Sequence, residues 1–354
     1  MTAVQATALV LLAGIGAYAV FGGADFGAGF WDLAAGRTEP GLRPRALIAD
    51  AIGPVWEANH TWLVFDLVIL WTAFPPAFAA IMTTLFVPLC LVALGLVLRG
   101  AAFAFRPVAT GLRGRRAAGV IFATSSVMTP FLLGAVAGAI ASGRVPPVAG
   151  VATGDPWSAW VTPTSMLLGV MAVSACAYLA ATFLVTDARR RRDDELVRYF
   201  RRRAIAAAVV AGGLALGAIP VLAMDAPLLA NELTTRGWPL VVASGLLGVG
   251  ALALLWRDAP RGTRACAVGA VAAIIAGWGV AQYPYILPPW LTFADAASPS
   301  GSLDALLVVF VLAALIIAPS LALLFALDQR DRLAGHGVGS DVETASGDRR
   351  APGR

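Results

Sequence analysis

Lysine is missing from this 354-residue chain, so all 26 basic residues are arginines, and histidine occurs only as His60 and His336. Charge is scarce as well. Charged residues make up 13% of the sequence, about half of the roughly 25% usual in a soluble domain. That excludes a soluble enzyme and a disordered chain, and the net charge of +5 does not make the chain a nucleic-acid module. Cysteine is nearly absent too. Cys90, Cys176 and Cys266 lack any CxxC spacing and fall in or beside apolar runs, so they read as small buried residues and not as disulfides or metal ligands. What is present in quantity is apolar length, with 59% hydrophobic residues. Only an all-α polytopic membrane protein fits.

A crossing takes about 20 apolar residues in a helix, because the backbone must satisfy its own hydrogen bonds without water. Apolar runs of that length fall at 2–24, 52–74, 77–98, 117–141, 161–185, 204–224, 238–256, 265–287 and 305–327, and all but the second are uncharged. The first lacks a basic n-region and a cleavage site and reads as a retained span. Pro75-Pro76 divides a run too long for one crossing. Nine spans put the termini on opposite sides. With the N-terminus outside, 24 of the 26 arginines lie inside and only Arg144 and Arg236 lie outside. The positive-inside rule therefore predicts nine transmembrane helices, N-out and C-in. The run Arg189–Arg192 then reads as a loop facing anionic headgroups, and residues 328–354 as a disordered cytoplasmic tail.

An ionisable side chain at membrane depth is costly and marks function by default. Here such residues cluster early: Asp25 at the end of the first run, then Glu57, His60 and Asp66 in the second. Glu57 and His60, three apart, share a helix face, whereas Asp66 is half a turn out. The first span runs inward and the second outward, so Asp25 and Glu57 both belong near the inner end. Two carboxyls and a histidine at that depth suit a proton path, since groups withdrawn from water exchange protons near neutral pH. A structural role is also open to each: an interfacial Asp25, a Glu57–His60 packing pair, an Asp66 contact with a neighbouring helix or subunit. The small residues of Gly22-Gly23-Ala24-Asp25-Phe26-Gly27-Ala28-Gly29 permit close helix approach and do not form a phosphate-binding loop.

The segments GGADFGAGF (22–30), GPVWEANHTWL (53–63), the Trp71–Pro75 exit, RGAAFAFR (99–106) and Tyr283-Pro284-Tyr285 together resemble subunit II of the cytochrome bd quinol oxidases. The WEANH form is similar to the cyanide-insensitive branch. The resemblance implies two four-helix bundles plus a ninth helix: 1–141, 142–287, and an outer loop with the last helix over 288–327. It implies a bacterial cell-membrane complex that oxidises quinol, menaquinol or ubiquinol, and reduces dioxygen to water with cytoplasmic protons. Haems b and d are expected in the partner, subunit I; small accessory subunits, lipids and a structural quinone are further expected companions. The resemblance places Glu57, Asp25 and Arg99 on or near the proton route, and His60 joins them on its own spacing. Departures are Gly22 where many members have Asp, Glu57 for Asp, Ala104 where many have an acid, and His60 for Gln or Glu. The residues agree independently: one membrane histidine cannot supply a bis-histidine haem, so the haem ligands belong to another chain. A stand-alone proton-coupled permease is the alternative, and the lack of intramembrane charge after residue 161 weighs against it.

Overall fold

The computed structural model describes residues 1–36, 39–52, 56–105, 111–147, 155–316, 319, 320 and 323. The first helices are α1 (Ala3–Ala34), α2 (Glu39–Ile52), α3 (Trp56–Ala73), α4 (Pro75–Thr84), α5 (Phe86–Phe105) and α6 (Gly111–Ala141). Then come α7 (Pro163–Arg190), α8 (Asp194–Asp225), α9 (Pro227–Thr235), α10 (Trp238–Trp256) and α11 (Thr263–Gln282). A small antiparallel hairpin, β1 (Tyr285–Leu287) and β2 (Leu291–Thr292), leads into the one-turn α12 (Phe293–Ala296). The Tyr283-Pro284-Tyr285 motif therefore lies past the end of α11, in the lead to the hairpin. The chain divides into two compact units, Met1–Leu303 and Asp304–Arg354, with a shorter apolar helix over Ser300–Ile316. In the second unit the Ser320 hydroxyl donates to the Ile316 carbonyl at 2.7 Å. The tail expected after residue 327, with His336, lies outside the described residues.

Among the described residues, seven helices are long and apolar enough to cross a membrane: α1, α5, α6, α7, α8, α10 and α11. The pair α3 and α4, bent by 118° at Phe74, makes an eighth if counted as one broken span. Against the nine runs of the sequence, the described residues thus give seven or eight, and the last run is described only in part. Two of the boundaries that differ from those runs shape the site. α1 does not stop at residue 24 but carries Asp25 inside it and continues to Ala34. The run 77–98 proves to be α4 followed by α5, which starts at Phe86 and holds Arg99 in its interior. A charge ends an apolar run in the sequence, yet the helix continues through it when a partner neutralises the charge inside the protein.

The helix starts follow from local chemistry. Thr2 and Gln5 form a reciprocal capping box at α1, and Thr162 accepts from the Ser165 N–H ahead of Pro163 at α7. Asp193 caps α8 by accepting from the Leu196 N–H at 3.0 Å, with Asp194 and Glu195 in the positive first turn. That backbone bond, with Arg43 beside it, holds the Asp193 carboxyl below the usual carboxylate range. Arg43 grips Asp193 at 2.7 Å and also Glu195, while Arg191 meets Asp50 at 2.9 Å. These pairs tie α2 to the α7–α8 turn. At the other end, Asp225 joins Arg144 at 2.6 Å and the Thr164 N–H at 3.0 Å.

α1 packs along α3, α6 and α7. Its contact with α7 is backbone to backbone: a methyl group at Gly27 would overlap the Cys176 carbonyl. The Trp31 indole N–H donates to the Ala177 carbonyl at 2.8 Å one turn further on. Leu216 and Ile219 of α8 and Leu246 and Val249 of α10 are exposed, as befits helices that meet lipid. We expect Gly27→Ala to cost about 1–3 kcal/mol through overpacking. Gly212→Ala, in open space on α8, should be neutral or stabilising by helix propensity. Thermal unfolding of the two purified variants checks the contrast; equal effects would refute the close α1–α7 approach.

Candidate functional site

Among the described residues, the buried acidic and basic side chains are Asp25, Asp32, Asp66 and Arg99, all from the first five helices. Asp25 and Arg99 form the centre. The Arg99 side chain is 1% exposed and that of Asp25 2%. Nη1 of Arg99 donates to Oδ2 of Asp25 at 2.7 Å, and Nη2 donates to Oδ1 and to the Asp25 backbone carbonyl, both at 3.0 Å. Nε donates to the Ser126 hydroxyl at 3.0 Å, and that hydroxyl donates to the Phe122 carbonyl at 2.6 Å. Phe26 and Phe122 stack against the guanidinium at 4.9 and 4.8 Å. Four of the five guanidinium N–H groups are thereby used, and the rings complement the cation. Such completeness is what a fully buried pair requires, because the desolvation of two ions is repaid only by excellent geometry.

α3 brings His60 to this centre. Its ring lies 5.8 Å from Phe26 and 6.1 Å from Tyr18, centroid to centroid, and the charges of Asp25 and Arg99 both reach it electrostatically. Tyr18 lies over Gly22, edge-on to Phe26 at 6.3 Å, and its buried hydroxyl has no hydrogen-bond partner among the described residues. Asp66, 9% exposed, packs on Gly14 of α1, where a methyl group would overlap its carboxyl; its Oδ1 has no hydrogen-bond partner among the described residues. On an ideal helix Asp66 is well off the His60 face, yet both meet α1, whose small residues at 14 and 22 leave recesses along its length.

Of the residues singled out in the sequence, Asp25, Arg99 and His60 come together. The Glu57 backbone lies in α3 one turn from His60, and its side chain, like Arg106, lies outside the described residues. Tyr283 is elsewhere: its hydroxyl accepts from Gln5 at 3.3 Å and its carbonyl from Arg236 at 3.2 Å. One buried acid is not among those the sequence singles out. Asp32, 4% exposed, is held by Arg45 at 3.0 and 3.2 Å. It lies seven residues after Asp25 and so on the same face of α1. That spacing is the available signal, hidden when the helix is taken to end at residue 24. No group of three or more His, Cys, Asp or Glu side chains able to hold a metal ion occurs among the described residues.

Residues 4–327 match the family model for cytochrome bd terminal oxidase subunit II. The chain belongs to that family. It is a multi-pass cell-membrane protein. A 112-residue segment is 35% identical to cytochrome bd ubiquinol oxidase subunit 2 of Bacillus subtilis (strain 168), a match spanning 32% of each chain. The fold is similar to a chain of the bd oxidase from Geobacillus thermodenitrificans, with a TM-score of 0.71 and 25% identity over 92% of this chain and 98% of that one. The glycine-rich stretch and α3 motif that suggest cytochrome bd subunit II thus point to the right family.

Removing one partner of a buried pair strands the other charge and costs about 3–5 kcal/mol. Arg99→Gln is expected to lose that much stability, whereas the surface variant Arg43→Gln should lose little. The double change Asp25→Asn with Arg99→Gln should cost clearly less than the sum of the single changes. Unfolding midpoints of the purified variants measure this; additive losses would mean the two side chains act independently.

Proposed function

We propose that this chain is the subunit of a terminal quinol oxidase that supports a haem-bearing partner and passes protons to it. The overall reaction takes four protons and four electrons, from two quinols, to each dioxygen and forms two waters. Family membership supports the reaction class. The observation that carries the chain's own role is the buried Asp25–Arg99 pair with His60 beside the Phe26 ring that stacks on Arg99. Haems b and d are assigned to subunit I, because this chain has two histidines in all and only His60 at membrane depth.

Within this reading the residues divide their work. Asp25 gives both carboxyl oxygens to Arg99, so the closed pair serves as a fixed dipole and not as a carrier. Glu57 and His60, three apart on α3, are the exchanging groups that hand a proton along one helix face. His60 receives it against the Tyr18 and Phe26 rings. The N-out, C-in orientation drawn from the arginines puts this cluster towards the cytoplasmic half, so the protons come from the cytoplasm. Menaquinol or ubiquinol is the reductant, consumed on the partner.

Purification in mild detergent with an optical spectrum tests the first part. A co-purifying haem-bearing subunit is expected; a chain that purifies alone and without haem absorption would overturn the oxidase reading. Glu57→Ala tests the second. With haem spectra unchanged, quinol-dependent oxygen consumption should fall about tenfold or more, and full activity would reduce the chain to a scaffold.

A further inference from the structure

A cavity of about 450 Å³ opens at the arginine-rich end of the first unit, between the last turns of α7 and the start of α11. Its walls include the apolar side chains of Val185, Ala265 and Val268, and Arg189, Arg261 and Arg264 also line it. These arginines are not equivalent. Arg189 is committed to Asp258, at 2.5 Å, and to the Ala259 carbonyl. Asp258 is further shared with Arg201 at 2.9 Å, so its charge is already spent. Arg264 lies with its guanidinium over the Phe183 ring at 3.8 Å, a contact that uses its face and leaves its N–H edges free to donate. Asp187 is the acid whose field reaches it. Arg261 is exposed and has no carboxylate partner among the described residues. The cavity therefore carries a surplus of guanidinium charge.

The backbone adds to this. Gly262 turns the chain into α11 with φ +92° and offers no side-chain cap. The first N–H groups of α11 therefore face the same space with no side-chain acceptor at the cap, at the positive end of its dipole. Two guanidinium groups with donors to spare, at the ends of membrane-spanning helices and above apolar walls, meet the requirements of a ligand that is anionic at one end and apolar at the other. A free anion has no use for the walls. A zwitterionic lipid would bring an ammonium group against the arginines.

We propose that this cleft binds an anionic phospholipid, its phosphodiester on Arg261 and Arg264 and its glyceride and first methylenes on Val185, Ala265 and Val268. Arg189, locked by Asp258 and Ala259, shapes the rim and holds the α10–α11 loop in place. Basic recesses at helix ends are suited to such headgroups, since each arginine near the surface adds to the attraction for an anionic lipid. The site stands apart from the Asp25–Arg99 centre and depends only on α7 and α11 crossing the membrane.

The test uses the whole purified complex, delipidated in detergent. Native mass spectrometry and thermal unfolding are followed on adding phosphatidylglycerol, phosphatidylcholine or inorganic phosphate. Phosphatidylglycerol should be retained and raise the melting temperature, with the other two having little effect. Arg261→Gln combined with Arg264→Gln should weaken phosphatidylglycerol binding by about tenfold or more, while Arg264→Lys should recover part of the loss. Arg257→Gln, outside the cavity, should bind as the unmodified protein does. If the double variant fails to assemble, Arg261→Gln alone, at an exposed position, should still lower the affinity severalfold. Equal binding of phosphatidylcholine would overturn the proposal, as would unchanged binding by the arginine variants. An identical thermal shift with inorganic phosphate would make the cleft an anion site and refute the lipid assignment.

Discussion

The buried ion pair between Asp25 and Arg99 is the constraint around which the first helices of this protein are arranged. Neither charge can sit in a membrane span alone. Each is tolerated because the other is there and because the surroundings finish the job: the Asp25 backbone carbonyl, the Ser126 hydroxyl and the faces of Phe26 and Phe122. Those groups come from α1, α5 and α6, so satisfying one guanidinium fixes three helices relative to each other. The glycines around Asp25 serve the same end. Gly27 lets α7 approach to backbone contact and Gly22 accommodates the Tyr18 ring, which closes the site against lipid and water.

Much of this arrangement is legible in the amino-acid sequence. Apolar runs mark the crossings, Pro75-Pro76 marks a break, and the scarcity of charge makes Asp25, His60 and Asp66 visible as costly residues. The hidden part is where charge is neutralised internally. Arg99 follows an apolar run and reads as an interfacial flank; only its pairing with Asp25, 74 residues earlier, shows that α5 passes through it. Asp32 is hidden for the same reason, since its partner Arg45 looks like a loop residue. Likewise the 118° turn between α3 and α4 depends on what each helix packs against, which no local proline signal specifies.

The charged groups of the chain thus fall into two kinds. The arginine-rich end uses exposed pairs to tie α2, α7, α8 and the α10–α11 loop together, and it keeps surplus guanidinium groups at one cleft. In the interior the Asp25–Arg99 pair is fully closed, with a histidine near it among aromatic rings, and Asp32 is held by Arg45. A fixed dipole in a low-dielectric site retains its strength because no water reorients to cancel it. On the proposed route, a proton arriving at His60 meets a preset field. That property suits the supporting role proposed for this chain.

The central claim, that this buried pair acts on proton delivery and not on folding alone, is tested most directly by proton uptake. The assembled oxidase carrying Asp25→Asn and Arg99→Gln together loses the charge of the pair without leaving either ion buried alone. Uptake is followed with a pH-sensitive dye on the cytoplasmic side after a single pulse of oxygen. The account predicts an uptake rate reduced by about tenfold with the haem spectrum and subunit composition unchanged. An uptake rate equal to that of the unmodified enzyme would contradict it.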